Sequence, residues 1–245
     1  SSQADSLLLQ DFIQFFQFPS GMTAPNGVSV GPNQNIWIVD TTSSYFFSFD
    51  PVTEEFTKYV TSVPTIDSYG NASGFIKSPI SRPYWIEHSG DNLVMNEQTA
   101  NRIAVFNPST ETLVEYTIPS RNPNWSDCEG IEYCGVAQVF DFAIDGKKIW
   151  FTEWVENNIG VVDPSIELPL DIELESNIIS LKAGQSRGLT FVVSPQTSQD
   201  LFDVSLILSG TNEFLTVASD SNVPRTFQLD FDAPRPIAAT ISASE

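Results

Sequence analysis

The chain is poor in positive charge, in cysteine and in histidine, and each shortage narrows what it can do. Its 245 residues carry 11 Lys and Arg against 31 Asp and Glu, a formal charge of −20. Binding to phosphate backbones needs a basic footprint, so nucleic acid is not an expected partner. A carboxylate surplus either gathers cations or keeps a protein soluble, and the second use is the simpler one. The two cysteines, Cys128 and Cys134, cannot make a metal site alone, and the single histidine, His88, lies far from them in sequence. No apolar run is long enough to span a membrane. No amphipathic stretch is long enough for a helix. The length suits one or two domains with an ample core.

What is present is a register that occurs three times. Asn35-Ile36-Trp37-Ile38-Val39-Asp40 leads, twelve residues after its Trp, to Phe49-Asp50-Pro51 and then to Phe56-Thr57-Lys58-Tyr59-Val60. Asn92-Leu93-Val94-Met95-Asn96-Glu97 leads likewise to Phe106-Asn107-Pro108 and Leu113 to Ile118, and Lys148-Ile149-Trp150-Phe151-Thr152-Glu153 to Val162-Asp163-Pro164 and Leu170 to Leu174. The copies are offset by 57 and 56 residues with the same internal step. Each is a set of short β-branched and aromatic runs broken by Gly, Asn, Asp and Pro, the pattern of a β-propeller blade. The recurrent aromatics are then inter-blade packing, because a blade cannot bury its apolar face alone.

Residues 24–60, 82–119 and 138–174 carry the three blades, and the propeller portion is expected over residues 1–170. Phe12 to Pro19 reads as a strand, and Phe16-Gln17-Phe18-Pro19-Ser20 echoes Tyr116-Thr117-Ile118-Pro119-Ser120 at the close of the second copy, as the outermost strand of another blade would. Two long connections, 61–81 and 120–137, hold Cys128 and Cys134, spaced to close a small disulfide. They also hold two glycosylation triplets, at Asn71 and Asn124. Cysteines and triplets together in loops predict an extracellular or cell-surface glycoprotein. The start at Ser1-Ser2-Gln3 suits a mature or trimmed product, with any leader or anchor beyond this sequence.

From 171 to 245 the register stops. Ile178 to Leu181, Leu189 to Val193, Val204 to Leu208, Phe214 to Val217, Thr226 to Phe231 and Ile237 to Ile241 read as short strands between turns, which predicts an immunoglobulin-like β-sandwich without the Cys and Trp marks of antibody domains. The end at Ile241-Ser242-Ala243-Ser244-Glu245 reads as a break in a longer chain, before a last strand. Closed propellers use roughly 4 to 8 blades. Three blades would leave open edges, so a protein partner or further blades must complete the array.

Lys148-Ile149-Trp150-Phe151-Thr152-Glu153-Trp154, followed by Asn157-Asn158-Ile159-Gly160, resembles the "LWFTEW…NKIG" core of the streptogramin (virginiamycin B) lyase family. The resemblance covers residues 12 to 174 and implies a seven-bladed propeller, with kinship to gluconolactonase-like and NHL propellers. It also implies where chemistry would sit. In that family Glu-Pro-His and Arg-Pro-His elements on inner strands face the channel beside a magnesium ion, and a histidine acts as general base in opening a depsipeptide ester. The matching elements here are Ala24-Pro25-Asn26, Arg82-Pro83-Tyr84 and Gln138-Val139-Phe140. Asn26, Tyr84 and Phe140 thus replace the histidines, and Ala24, Arg82 and Gln138 stand at the glutamate position.

The candidate channel residues are therefore Asn26, Arg82, Tyr84, His88 and Phe140. His88 falls four residues after Tyr84, on the same face of an alternating strand, although it adjoins a turn. Arg82 and Tyr84 suit an anionic or sugar ligand, while Arg102 is expected to pair with a carboxylate. The repeated acids Asp40, Glu97 and Glu153 are either structural, bonding to neighbouring backbone, or the lining of one annulus that holds magnesium or calcium. No cofactor is otherwise called for. The expected function is non-catalytic binding or assembly at the cell surface, with a small-molecule or glycan ligand. The alternative is a lyase- or lactonase-like enzyme whose catalytic blades lie outside this chain.

Overall fold

A computed structural model describes residues 12–64, 80–120, 138–154, 156–175, 179–205, 215–219 and 226–244. The chain is all-β, with seventeen strands and no helix among the described residues. It forms two compact units that divide between Pro164 and Ser165. Asn71, Asn124, Cys128 and Cys134 lie outside the described residues.

The first unit is built from three small antiparallel meanders, as the threefold register requires. Strands β1 (Pro25–Val30), β2 (Ile36–Asp40), β3 (Tyr45–Asp50) and β4 (Glu55–Val60) form one sheet in chain order. Strands β5 (Pro83–Ser89), β6 (Asn92–Glu97), β7 (Arg102–Asn107) and β8 (Thr112–Thr117) form the second. The third has only β9 (Val139–Asp145), β10 (Lys148–Glu153) and β11 (Asn158–Val162). The polar motif that ends the third strand is a turn device. Asp50 Oδ1 accepts the Val52 N–H at 2.7 Å, and Asn107 Oδ1 accepts the Ser109 N–H at 2.9 Å. A short side-chain acceptor two residues before a turn amide is what favours Asp and Asn there. Glu54 and Glu111 then take left-handed backbone, with φ of 60° and 55°, and the chain returns as β4 or β8.

After Val162-Asp163-Pro164 there is no such return. Leu170–Leu174, expected to close the third blade, is strand β12 and pairs with β13 (Ser186–Pro195) in the second unit, Ile172 opposite Val193. Its alternation of apolar and acidic residues fits a half-buried strand in either place, so local pattern could not choose between the two sheets. The N-terminal stretch also departs from expectation. Residues 12–18 form no strand; they lie over the first sheet through ring contacts of Phe16 with Phe49 (4.8 Å) and Phe18 with Phe56 (5.8 Å).

The sheets pack through apolar faces. Trp37, Val39, Phe46 and Tyr59 of the first meet Ile86, Leu93, Met95, Ala104 and Phe106 of the second. Trp37 and Phe46 lie 5.5 and 5.0 Å from Phe106, ring to ring. The other face of the second sheet, Val94, Ile103 and Val105, meets Val139, Phe142, Ile149, Phe151 and Val162 of the third. The repeated aromatic and β-branched positions are thus inter-sheet core, each burying area worth about 1.5–3 kcal/mol per side chain.

In the second unit β12, β13, β17 (Arg235–Ala243) and β15 (Leu215–Ser219) make a four-stranded sheet, and β14 (Leu201–Ser205) pairs with β16 (Thr226–Leu229). Phe191, Val193, Ile237 and Ala239 from the first sheet share a core with Phe227 and Leu229 from the second. The stretch expected as a strand before residue 182 contributes none among the described residues.

Candidate functional site

Each meander of the first unit carries the same irregularity on its innermost strand. The register runs Pro25 opposite Asp40 but Val28 opposite Ile38, Pro83 opposite Glu97 but Ile86 opposite Met95, and Val139 opposite Glu153 but Phe142 opposite Phe151. One extra residue is inserted each time, a β-bulge that turns side chains out of the pleat. The bulges hold Asn26-Gly27, Tyr84-Trp85 and Phe140-Asp141, so Asn26, Tyr84 and Phe140 occupy equivalent places, as the repeat predicts. Arg82 and Gln138, just before the second and third bulges, share left-handed backbone with φ of 56°.

The bulges are tied to one another across the sheets. Asn26 Nδ2 donates to the Tyr84 carbonyl at 2.9 Å. A Cβ on Gly27 would lie 2.9 Å from the Trp85 Cα and the Ile86 nitrogen, so only glycine lets the two inner strands approach this closely. Between the second and third bulges the link is Asn96. Its Oδ1 accepts the Trp85 N–H at 2.7 Å, while its Nδ2 donates to the Val139 and Phe140 carbonyls at 2.9 and 3.0 Å. This fully buried amide satisfies one donor and two acceptors that the bulges would otherwise orphan.

Four rings emerge along this spine. Trp85 stands edge-on to Tyr84 at 5.2 Å, Tyr84 lies 5.9 Å from Phe140, and Phe140 lies 5.2 Å from Trp154. Trp85, Phe140 and Trp154 are exposed and Tyr84 is half-buried. The Arg82 guanidinium sits 6.0 Å over the Tyr84 ring, within range of a cation–π contact. The result is an aromatic row, exposed except at half-buried Tyr84, with the Arg82 guanidinium over the Tyr84 ring and the Asn26 amide on the Tyr84 carbonyl. Such a row presents faces for stacking against a flat apolar ring or a sugar, with polar groups at its edges.

His88 is not part of it. The bulge between Pro83 and Ile86 breaks the alternation that would carry His88 to the side of Tyr84, and the imidazole Nε2 is 2.6 Å from the Gly90 carbonyl at the β5–β6 turn. The three repeated acids do not come together either, and no group of three His, Cys, Asp or Glu suited to a metal occurs among the described residues. Each is tied within its own sheet. Asp40 accepts from the Ala24 N–H at 3.0 Å and the Ser43 hydroxyl at 3.0 Å, and also from Thr42. Glu153 accepts from Asn158 Nδ2 at 3.0 Å. Glu97, fully buried, meets Arg102 at 3.3 Å, and the same guanidinium reaches Glu115 at 3.6 Å and the Ser62 carbonyl at 2.9 Å. Burial above all, then the charge of Glu115, pushes the Glu97 carboxyl well above its ordinary 4.5, and Arg102 opposes the rise. The expected carboxylate partner of Arg102 is therefore a pair.

Asn96, Trp85 and Trp154 were not singled out by sequence reasoning. The signal for Asn96 was its place: Val39 and Thr152 stand at the same register position, and only an amide there can bridge two bulges. Trp85 was hidden because a bulge cancels the period-two rule that assigns faces, and Trp154 because it lies in the turn just after β10, outside any strand pattern.

No protein-family model matches the chain, and no curated protein sequence matches it. Among similar solved structures are two of virginiamycin B lyase from Staphylococcus aureus. The selenomethionine-substituted enzyme has a TM-score of 0.41 and 20% identity, over 62% of this chain and 45% of that chain. A catalytically inactive variant with quinupristin has a TM-score of 0.41 and 22% identity, over 60% and 39%. A streptogramin B lyase structure has a TM-score of 0.39 and 17% identity, over 75% and 54%. The chain spans 39 to 54% of the length of these structures.

Proposed function

We propose that this chain is a non-catalytic binding module: blades of a β-propeller followed by an immunoglobulin-like sandwich, acting outside the cell in ligand recognition and assembly. The observation that carries this reading is the aromatic row on the inner-strand bulges, where Tyr84 and Phe140 occupy the places at which a lyase would hold its histidines. Neither a phenol nor a phenyl ring replaces imidazole as a general base near neutral pH. Both serve as stacking platforms. The ligand class that fits is a ring with an apolar face and hydroxyl or anionic edges, such as a sugar, with Trp154 and Trp85 as its outer contacts and Arg82 near its edge.

The test is a titration of tryptophan fluorescence with soluble neutral and acidic oligosaccharides. Binding that Trp154→Ala weakens by tenfold or more supports the reading, since removal of a stacking ring is a hot-spot loss. Binding unchanged in both Trp154→Ala and Phe140→Ala sinks it. Incubation with a cyclic streptogramin B depsipeptide tests the other reading. A linearised product, seen by mass, would replace the binding module with an enzyme.

A further inference from the structure

The third sheet presents to solvent the positions that its two predecessors bury. Trp37, Val94 and Trp150 stand at one register position, with exposures of 1%, 2% and 38%. Phe46, Ile103 and Ile159 stand at another, with 1%, 0% and 70%. In the first two sheets these side chains pack on the next sheet. In the third they form, with half-exposed Val161, an apolar face with no sheet upon it among the described residues. The third sheet also stops at β11, whose outer edge has no paired strand among the described residues.

The opposite end of the array holds what is missing. Phe16 and Phe18 repeat Tyr116 and Ile118 of the second sheet's close, and Phe16 lies on Phe49. Phe49 is the register equivalent of Val162, which shares a core with Tyr116 and Ile118. Residues 12–18 therefore sit on the first sheet where the outermost strand of a preceding blade sits on its successor. Val28, equivalent to the interface residues Ile86 and Phe142, is 64% exposed on that side.

We infer that a second copy of this chain fills the gap, its residues 12–18 adding as the fourth strand beside β11 and its first sheet packing on Trp150, Ile159 and Val161. The β7–β8 register, Ile103 opposite Tyr116, sets Ile159 opposite the partner copy's residue 16. The contact is head-to-tail, and such contacts close into a ring when the rotation permits. Two copies contribute three blades each, and the resulting ring of six lies within the usual four to eight. The inference rests on the three sheets being blades and not on what the aromatic row binds, so a failed ligand titration leaves it intact.

Sedimentation equilibrium of the full chain tests it. The expected species is a dimer of twice the 27.1 kDa chain mass. Ile159→Asp, at a site open in the isolated chain, should keep the β-sheet circular dichroism and weaken dimerisation at least about tenfold. Phe16→Asp should act from the other side of the joint. A mixture of the two variants should regain dimer, because one of its two joints is then free of both substitutions. A monomer at every concentration, a dimer indifferent to Ile159→Asp, or a mixture that stays monomeric overturns the proposal.

Discussion

The second and third sheets of the first unit share a register and a bulge, yet one is packed on both faces and the other on one. Val94 and Ile103 are core because another sheet lies on them; Trp150 and Ile159 have the same pattern and no such cover among the described residues. The difference shows that the repeat encodes a capacity to be buried. Whether burial happens depends on what stands next in the array. It also separates two kinds of cohesion: apolar faces fill the space between sheets, while Asn96 and Gly27 hold the inner strands in step.

The sharpest way to break the comparison is to truncate equivalent residues in the two sheets. Ile103→Ala should cost about 2–5 kcal/mol in chemical denaturation, the range for a buried large-to-small change with its cavity. Ile159→Ala in the monomer should cost less than about 0.5 kcal/mol, as exposed substitutions do. Equal losses would mean that exposure does not separate the sheets. Next in size is Asn96→Leu, which strips the Trp85 N–H and two carbonyls of their partner. A total loss of about 1–3 kcal/mol is expected, because only the bond to the Val139 carbonyl is fully buried and the other two groups are part-buried, and a neutral result would show that the bulges do not need the amide. Gly27→Ala should cost about 1–3 kcal/mol, since its Cβ would meet backbone that has no flexible end to move.

The smallest effect is one of pH. Glu97 binds its proton more tightly folded than unfolded, because burial and Glu115 raise its pKa above 4.5. Its contribution to stability is therefore full below the unfolded value and is lost as pH rises through the raised folded value. Glu97→Gln cannot lose a proton, so its stability should fall less than that of the parent between about pH 4.5 and neutrality. Parallel profiles would show that Arg102 holds Glu97 ionised throughout.

Much of this was legible without coordinates. The meanders, their strand order and the equivalence of Asn26, Tyr84 and Phe140 follow from a register repeated at 57 and 56 residues. The use of Arg102 followed from the carboxylates around it in sequence. Other points did not follow. His88 was assigned a face by alternation, and the bulge at Tyr84-Trp85 removed it. Leu170–Leu174 fits a blade by pattern and position, yet its backbone pairs in the second unit. Asp40, Glu97 and Glu153 are equivalent in sequence, but one braces a turn, one shares an arginine and one meets an asparagine.

The sequence by itself determined the strands, their repeat and the apolar faces, because these depend on side-chain period and turn chemistry within a few residues. Only the tertiary structure decided which faces are covered, which sheet claims an alternating strand and where the bulges turn Tyr84, Trp85 and Phe140 outward. Those outcomes are set by partners distant in sequence. A period-two pattern states that a face is apolar, and contact with another sheet alone states what lies against it.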